Sequence, residues 1–550
     1  MNKLNTILLF FISVFDVLQV HSQNASFDWM VKAGGMYSDY SRQVAVDSGK
    51  FLYIVGEFRY QSLFDTTHLF SSNYDLYLAK YSQSNGSLIW VRQATASEDI
   101  FGTCLTIDYL GNVYVAGLFL GNLSIGDTLI QGPSGIKTAF LAKYDMNGQF
   151  LWARSAYSDK QASSYDLTVN SDNEIYWLIW FQHTITFQHF STIDTILINE
   201  PDIPVRHAVA IAKINGTGNL LYIKDIFGDD CVHSSCIHVD HADNYYISGV
   251  FYDNINFGDT VLLNTNGGSY LAKLNKYDHL QWIKQTFYTG YNTLCTDADN
   301  NLYVGGVIVP NYIFENVQLT SYGGKDILIA KYDSSGNFKW LNHAGSSGDD
   351  DSKAICIYGD NNILLAGTFN DTAYFGNDSI VAKGGSDFFV VAFDSSGNFF
   401  PVRSLGTLYN DDVVSIDCQS SGEIFLTGTF TNKLFWENDS LSSFGSDDAF
   451  LAKFNLSDFN HEQTNKFHSS IHYYPNPCDK ILTIDFPDDV GNINMELITM
   501  MGQPIYSDNM KSCFSNRRQW NVSHLPSGIY MLRVTVNNEF FSGKLIIAHP

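Results

Sequence analysis

Apolar positions along this chain fall in short runs, broken every few residues by Gly, Asn and Asp. Tyr114-Val115-Ala116-Gly117-Leu118-Phe119 is typical, and it follows the polar cluster Asp108-Tyr109-Leu110-Gly111-Asn112. β-Branched and aromatic runs bounded by such clusters predict strands joined by tight turns. No stretch sustains a 3.6-residue apolar period, so no helix is predicted.

The runs recur as a unit. A Leu-Ala-Lys-Tyr-like phrase begins at residues 78, 141, 211, 271, 329, 390 and 451. Each unit reads as a first apolar segment (Cys104 to Ile107), a tight turn, a second strand, a long loop, the Leu-Ala-Lys strand, a short turn (Asp333 to Gly336) and a last strand begun near an aromatic such as Trp340. Four antiparallel strands in seven copies predict an all-β fold, a seven-bladed β-propeller. Trp29-Met30-Val31-Lys32 reads as a last strand with no unit before it, and the seventh unit ends at Asn455 without one. Residues 27–33 are therefore expected to complete the seventh blade and remove the free sheet edge. At 550 residues the chain would suggest three or four domains. The repeat reduces most of that length to one ring, residues 23–455.

The recurring Gly-Asn-x-Tyr-Val-Ala-Gly and Leu-Ala-Lys-Tyr-Asp-x-x-Gly phrases resemble the secreted seven-bladed propeller (SBBP-type) repeat family over about residues 27–455. That resemblance implies a secreted propeller with no fixed activity. Unit three departs most, with Ile179 in place of the Gly and an enlarged loop at 182–207.

After a polar stretch at 456–470, expected to be a linker, the pattern changes. Alternating strands such as Ile481 to Phe486 and Ile529 to Val534, between Pro/Gly turns, predict a small β-sandwich over 471–550. Tyr474-Pro475-Asn476-Pro477, Gly502, Gly528, Tyr530 and Lys544, in that order, resemble the type A C-terminal sorting domain of the type IX secretion system. The resemblance implies a Gram-negative source, the type IX machinery as a partner, and release or attachment at the outer surface. Lys3, the apolar run Ile7 to Phe15 and Ser22 read as a signal peptide over residues 1–22. No segment reads as a transmembrane span.

The net charge of −25 comes from 57 Asp+Glu against 32 Lys+Arg. It disfavours nucleic acid and anionic membranes as partners. Most of the acid is Asp, the turn-former. Asp39, Asp99, Asp230, Asp350 and Asp411 stand in unit connections, and Asp75, Asp326, Asp387 and Asp447 stand before the Leu-Ala-Lys strand. Both sets belong to the long-loop face, where a rigid scaffold concentrates binding residues. Asp349, Asp350 and Asp351 form the densest cluster and a candidate Ca²⁺ site. The alternative role for all of these Asp is to cap turns. Lys80, Lys143, Lys213, Lys273, Lys331 and Lys453 recur and are expected to pair with neighbouring Asp or Tyr. Phe64, Phe257, Phe314, Phe375 and Trp436 recur in the long loops, where they either pack the loop or meet a sugar.

Of the eight Cys, five are read as small core residues; Cys231 with Cys236, and Cys478 with Cys513, are candidate disulfides. No HExxH, GxSxG or phosphate-loop motif occurs. The reading is an exported binding module for an extracellular protein or glycan. A glycan hydrolase or lyase using acidic residues of the long-loop face, or a structural surface component, are its alternatives.

Overall fold

The computed structural model describes residues 27–549 except 190–191, 199–206, 229–230, 259, 287–289, 311, 316, 360, 377, 401, 420–421, 437–438, 455–471, 475–477, 486–492, 500–503, 511–516 and 537–538. The expected signal segment and linker lie outside the described residues. The chain is all-β and divides into two compact units, Met1–Asp458 and Phe459–Pro550.

Among the described residues, the larger unit contains seven four-stranded antiparallel meanders. The first comprises Tyr40–Val46, Phe51–Phe64, Thr67–Ser82 and Leu88–Ala96. The seventh comprises Asp412–Cys418, Ile424–Trp436, Asp439–Phe454 and, from the other end of the chain, Phe27–Gly34. In this last pairing Met30 lies opposite Ala452 and Lys32 opposite Phe450. The first strands of successive meanders pack side by side, and that of the seventh packs on that of the first, so the circle closes. This is a β-propeller architecture.

The repeated residues build the seams between meanders. A last-strand Trp lies on the turn Gly of the next meander: Trp90 on Gly148, Trp282 on Gly336, Trp340 on Gly397. Those glycines have φ of +76°, +81° and +89°. They are glycines for two reasons, the left-handed backbone and the indole against Cα. The Trp340 Nε1–H donates to the Ser395 carbonyl of the same turn at 3.1 Å, and Lys331 Nζ donates to that carbonyl at 3.2 Å. Lys143 and Lys273 do likewise to Gly216 and Ser334, and each also faces an Asp of its own first turn, Asp108 at 3.6 Å and Asp240 at 3.2 Å. The Lys and Trp of one meander thus grip the Asp-x-x-Gly turn of the next.

Edges are covered from outside. The Thr184–His189 and Thr192–Ile198 hairpin of the enlarged third loop pairs with Phe150–Tyr157, the last strand of the preceding meander. The Leu123–Ile125 hairpin does the same to Leu88–Ala96. Such cover removes the exposed strand edges on which other chains would pair.

One disulfide joins Cys356 to Cys418, on the first strands of meanders six and seven, with Cα atoms 6.0 Å apart. This corrects the sequence reading, which held both as lone core residues. The expected Cys231–Cys236 pair does not form. Both lie on one extended segment, five residues and about 16 Å apart, well beyond disulfide reach. Cys478 keeps its thiol, and Cys513 lies outside the described residues.

In the smaller unit, the sheet of His472–Tyr474, Ile481–Asp485 and Arg517–Asn521 and the sheet of Pro504–Met510, Ile493–Thr499, Gly528–Val536 and Glu539–Ile547 share one core. Leu482, Ile484 and Trp520 come from the first sheet, and Leu497, Leu532 and Leu545 from the second.

Candidate functional site

Strand alternation places the two tight turns of each meander on one face of the ring. The long loops and the connections between meanders lie on the other. The acidic residues of that second face are mostly inside the protein. Asp39, Asp350 and Asp411 are buried, as are Asp75, Asp326 and Asp387. Asp350 accepts from the Ser346 hydroxyl at 2.9 Å and the Asn370 N–H at 2.9 Å. Asp411 accepts from the Thr407 N–H at 2.5 Å and the Thr431 N–H at 3.2 Å. Asp99 accepts from the Tyr74 N–H. Asp326 and Asp387 accept from N–H groups four residues upstream, on Tyr322 and Lys383. In the seventh meander this part is played by Asp448, which accepts from Phe444, and not by Asp447, which takes the hydroxyls of Ser38 and Thr431. These carboxylates pin loops.

They also act on one another across the seams. Burial first, then Asp448, pushes Asp39 up to about 8. Burial raises Asp326, Asp387 and Asp75 to about 6, with the next meander's Asp350, Asp411 and Asp99 adding to the shift. Burial beside another acid makes a carboxylate harder to ionise, and of these Asp39 alone is pushed above neutral pH. Asp230 lies outside the described residues.

The three acids of the candidate calcium cluster do not converge. Asp349 accepts from the Lys325 N–H at 2.9 Å, Asp350 is inside, and Asp351 pairs with Lys353 at 2.7 Å while accepting from Asn292. Asp349 and Asp350 belong to the connecting loop and only Asp351 to the strand Asp351–Tyr358, so the three carboxylates answer to different partners. The recurring loop aromatics Phe64, Phe257, Phe314, Phe375 and Trp436 are all buried. They pack the loops and present no platform to a sugar.

Among the described residues, two openings stand out. A channel of about 730 Å³ is lined by all seven first strands. Every first strand carries a β-bulge at the same place. Side chains of adjacent meanders take up N–H groups near it: Gln43 accepts from Leu105 at 2.8 Å and Asp166 from Ile237 at 2.9 Å. Burial raises Asp166 to about 7 and lowers His238 to about 4. The wall carries both signs of charge, with Arg42 and Lys353 beside Asp166, Asp297 and Asp417.

The second opening, of about 680 Å³, lies on the long-loop side of meanders four to six, and Tyr252, Lys325, Asp349, Asp351, Lys353 and Thr368 are among its walls. Tyr252 is half exposed, and Tyr322 stacks on Tyr374 at 5.7 Å in the loops of the fifth and sixth meanders. Burial alone would lower Lys353, but Asp351 outweighs it and holds the ammonium charged.

Sequence reasoning missed one cluster altogether. His207, Cys231 and His233 bring three coordinating atoms within 4.8 Å of one another at the seam of meanders three and four. Its signal was a Cys-x-His spacing at 231–233 that no other unit repeats.

In the smaller unit, Tyr474 donates to Asp485 at 2.8 Å, and Arg517 holds the same carboxylate through Nε at 2.5 Å and Nη2 at 3.0 Å. Tyr530, in the strand begun by Gly528, donates to the Pro526 carbonyl at 2.8 Å. Lys544 stands opposite Met531 in the final strand pair. Pro475, Asn476, Pro477 and Gly502 lie outside the described residues.

Comparison with known proteins agrees with this division. Residues 472–548 match the secretion system C-terminal sorting domain family, and residues 89–118 match the beta-propeller repeat family. The chain thus carries a segment that matches the β-propeller repeat family and a tail that matches the type IX C-terminal sorting domain. That tail marks it for export through the type IX machinery, to be secreted or held at the cell surface. No curated protein matches. Among solved structures, an apocarotenoid oxygenase mutant of Synechocystis is 8% identical, covering 79% of this chain and 95% of its own, with a TM-score of 0.36. The extracellular domain of a putative hybrid two component system of B. thetaiotaomicron is 12% identical, covering 93% and 87%, at 0.16. A glycoside hydrolase family 32 structure from Bifidobacterium adolescentis is 8% identical, covering 96% of each chain, at 0.23. Likeness at this level carries no argument about activity. Among the described residues no helix is long and apolar enough to cross a membrane.

Proposed function

We propose that the seven meanders are the blades of one seven-bladed propeller, residues 23–455, preceded by a signal segment at 1–22. A linker at 456–470 joins it to a sorting β-sandwich at 471–550. The exported ring acts as a binding module for an extracellular glycan or protein. The observation that carries this reading is the groove over blades four to six. The sevenfold pattern otherwise repeats its polar groups inside the protein. Among the described residues, an exposed Tyr252, a charged pair at Asp351–Lys353 and the Lys325–Asp349 corner line a recess of ligand size here. Recesses with one aromatic wall and a few fixed polar groups suit glycans and extended peptides.

A hydrolase or lyase is the second reading, favoured by the groove carboxylates Asp349 and Asp351. One experiment separates the two. The purified exported chain is screened on a glycan array and against secreted proteins, and the same polysaccharides are assayed for cleavage. Saturable binding without turnover is expected. Turnover abolished by Asp351→Asn would replace the binding module with an enzyme.

A further inference from the structure

His207 opens the strand His207–Ile214 of blade three, while Cys231 and His233 stand at the start of blade four. The segments meet through a parallel bridge between His207 and Cys231. His207 Nδ1 lies 3.0 Å from Cys231 Sγ and 3.2 Å from His233 Nε2. Each imidazole turns its other nitrogen to a neighbour: His207 Nε2 to the Gln182 amide at 2.7 Å, and His233 Nδ1 to the Tyr165 hydroxyl at 3.4 Å. Trp180 stacks on His233 with ring centroids 5.3 Å apart and stands edge-on to His207 at 4.9 Å. All three coordinating residues are half-buried.

We propose that His207, Cys231 and His233 bind one borderline-soft transition-metal ion, Zn²⁺ in the first instance, as a clip between blades three and four. Three arguments support this. First, two imidazole nitrogens and a sulfur converging on one point are the donor set that Zn²⁺ takes. Second, the spacing is near that of a filled site. Tetrahedral Zn²⁺ sets its nitrogens about 3.4 Å apart and nitrogen from sulfur about 3.6 Å. The nitrogens are already there, the thiolate must withdraw from His207 by about half an ångström, and Cys231 Sγ lies within 4.8 Å of His233 Nε2. Third, each distal ring nitrogen has an outer partner of the kind found around metal-bound histidines: the Tyr165 hydroxyl accepts from His233 Nδ1–H, and the Gln182 amide accepts from His207 Nε2–H once turned to present its oxygen. The thiol proton leaves to solvent on binding. Export adds a reason for the ion. An accessible thiol crossing an oxidising compartment is exposed to oxidation, and coordination protects it.

Three ligands stand among the described residues, and tetrahedral Zn²⁺ takes a fourth. Tyr165, which holds His233, also lines the central channel. The site therefore borders the channel mouth and adjoins the edge of the groove, where the Tyr252 N–H donates to the Cys231 carbonyl at 2.9 Å.

The test uses the purified full chain, reduced and stripped with chelator. Calorimetry with Zn²⁺ should show one equivalent bound and a melting temperature raised by a few degrees. Co²⁺ should give a thiolate-to-metal charge-transfer band. Cys231→Ser and His233→Ala should each weaken Zn²⁺ by about 100-fold or more, and Gln182→Ala by about 10-fold. His279→Ala, on an exposed tight turn, should change nothing. Should a ligand variant misfold, the wild type still decides the matter, because bound Zn²⁺ must shield Cys231 from alkylation. A folded, reduced chain that binds no Zn²⁺, a Co²⁺ spectrum without the thiolate band, or unchanged affinity in Cys231→Ser would overturn the proposal.

Discussion

Trp29→Ala tests whether the N-terminal strand is a full member of the ring. The indole of Trp29 covers Gly86 of the first meander so closely that a Cβ there would meet Cε3 at 2.6 Å. Its Nε1–H donates to the Gln83 carbonyl at 3.1 Å, and its ring lies 6.1 Å from that of Phe425. Truncating a fully buried Trp costs about 3–5 kcal/mol. Trp29 is half-buried, so about half of that applies, and the lost hydrogen bond adds about 1 kcal/mol. The expected loss is about 2.5–3.5 kcal/mol, read from the shift in urea midpoint at unchanged slope. Trp340→Ala is the internal standard. Trp340 grips the turn at Gly397 in the same way but sits mid-chain, where no closure is involved. The two losses should agree within about 1 kcal/mol. If Trp29→Ala moved stability by less than about 0.5 kcal/mol, as an exposed arm would, while Trp340→Ala cost the full amount, the strand would not close the ring.

Three further outcomes are expected. Gly336→Ala, at φ +81° with Trp282 2.8 Å from the new Cβ, should cost about 1–3 kcal/mol. Gly111→Ala, at the same φ with nothing nearer than 3.8 Å, should cost only about 1 kcal/mol, and the difference in melting temperature reports the seam contact. Asp39 is pushed up to about 8, so the folded state binds its proton more tightly than the unfolded chain. Its contribution is fully present below about pH 4 and is lost as pH rises towards 8. Asp39→Asn should therefore gain stability relative to wild type as pH rises through that window, and a gain that did not grow with pH would contradict the burial of that acid. Breaking the Cys356–Cys418 bridge, which spans 62 residues, should cost up to about 4 kcal/mol, and non-reducing peptide mapping should recover the linked pair.

The strands, their order and the repeat were legible in the sequence because their determinants are local. Asp333-Ser334-Ser335-Gly336 specifies its turn whatever surrounds it, and the Trp and Lys that bind it recur at fixed offsets. The status of the acids was not legible. Whether Asp350 faces water or the Ser346 hydroxyl depends on a loop folding back over it, and the rise of Asp39 depends first on burial and then on Asp448, 409 residues away in sequence and adjacent only through closure. Periodicity could suggest that these Asp share a role, but not that the role is internal. The Cys356–Cys418 bridge was obscured for a similar reason. The two residues are 62 apart, about one repeat, and meet only because neighbouring blades lie side by side. The His207–Cys231–His233 cluster is the reverse case. It breaks the repeat, so a search for what recurs passes over it.

The binding face can be tested most directly by comparing its two sides. Against the strongest hit from the glycan and protein screen, calorimetry would measure the wild-type chain, Tyr252→Ala from the groove, and Tyr277→Ala from an exposed tight turn on the opposite face. Losing a buried aromatic contact at a binding centre costs about 2 kcal/mol or more, so Tyr252→Ala should weaken binding by about 30-fold and Tyr277→Ala should leave it unchanged. Weakening by Tyr277→Ala with no effect of Tyr252→Ala would place the ligand on the tight-turn face and contradict the account.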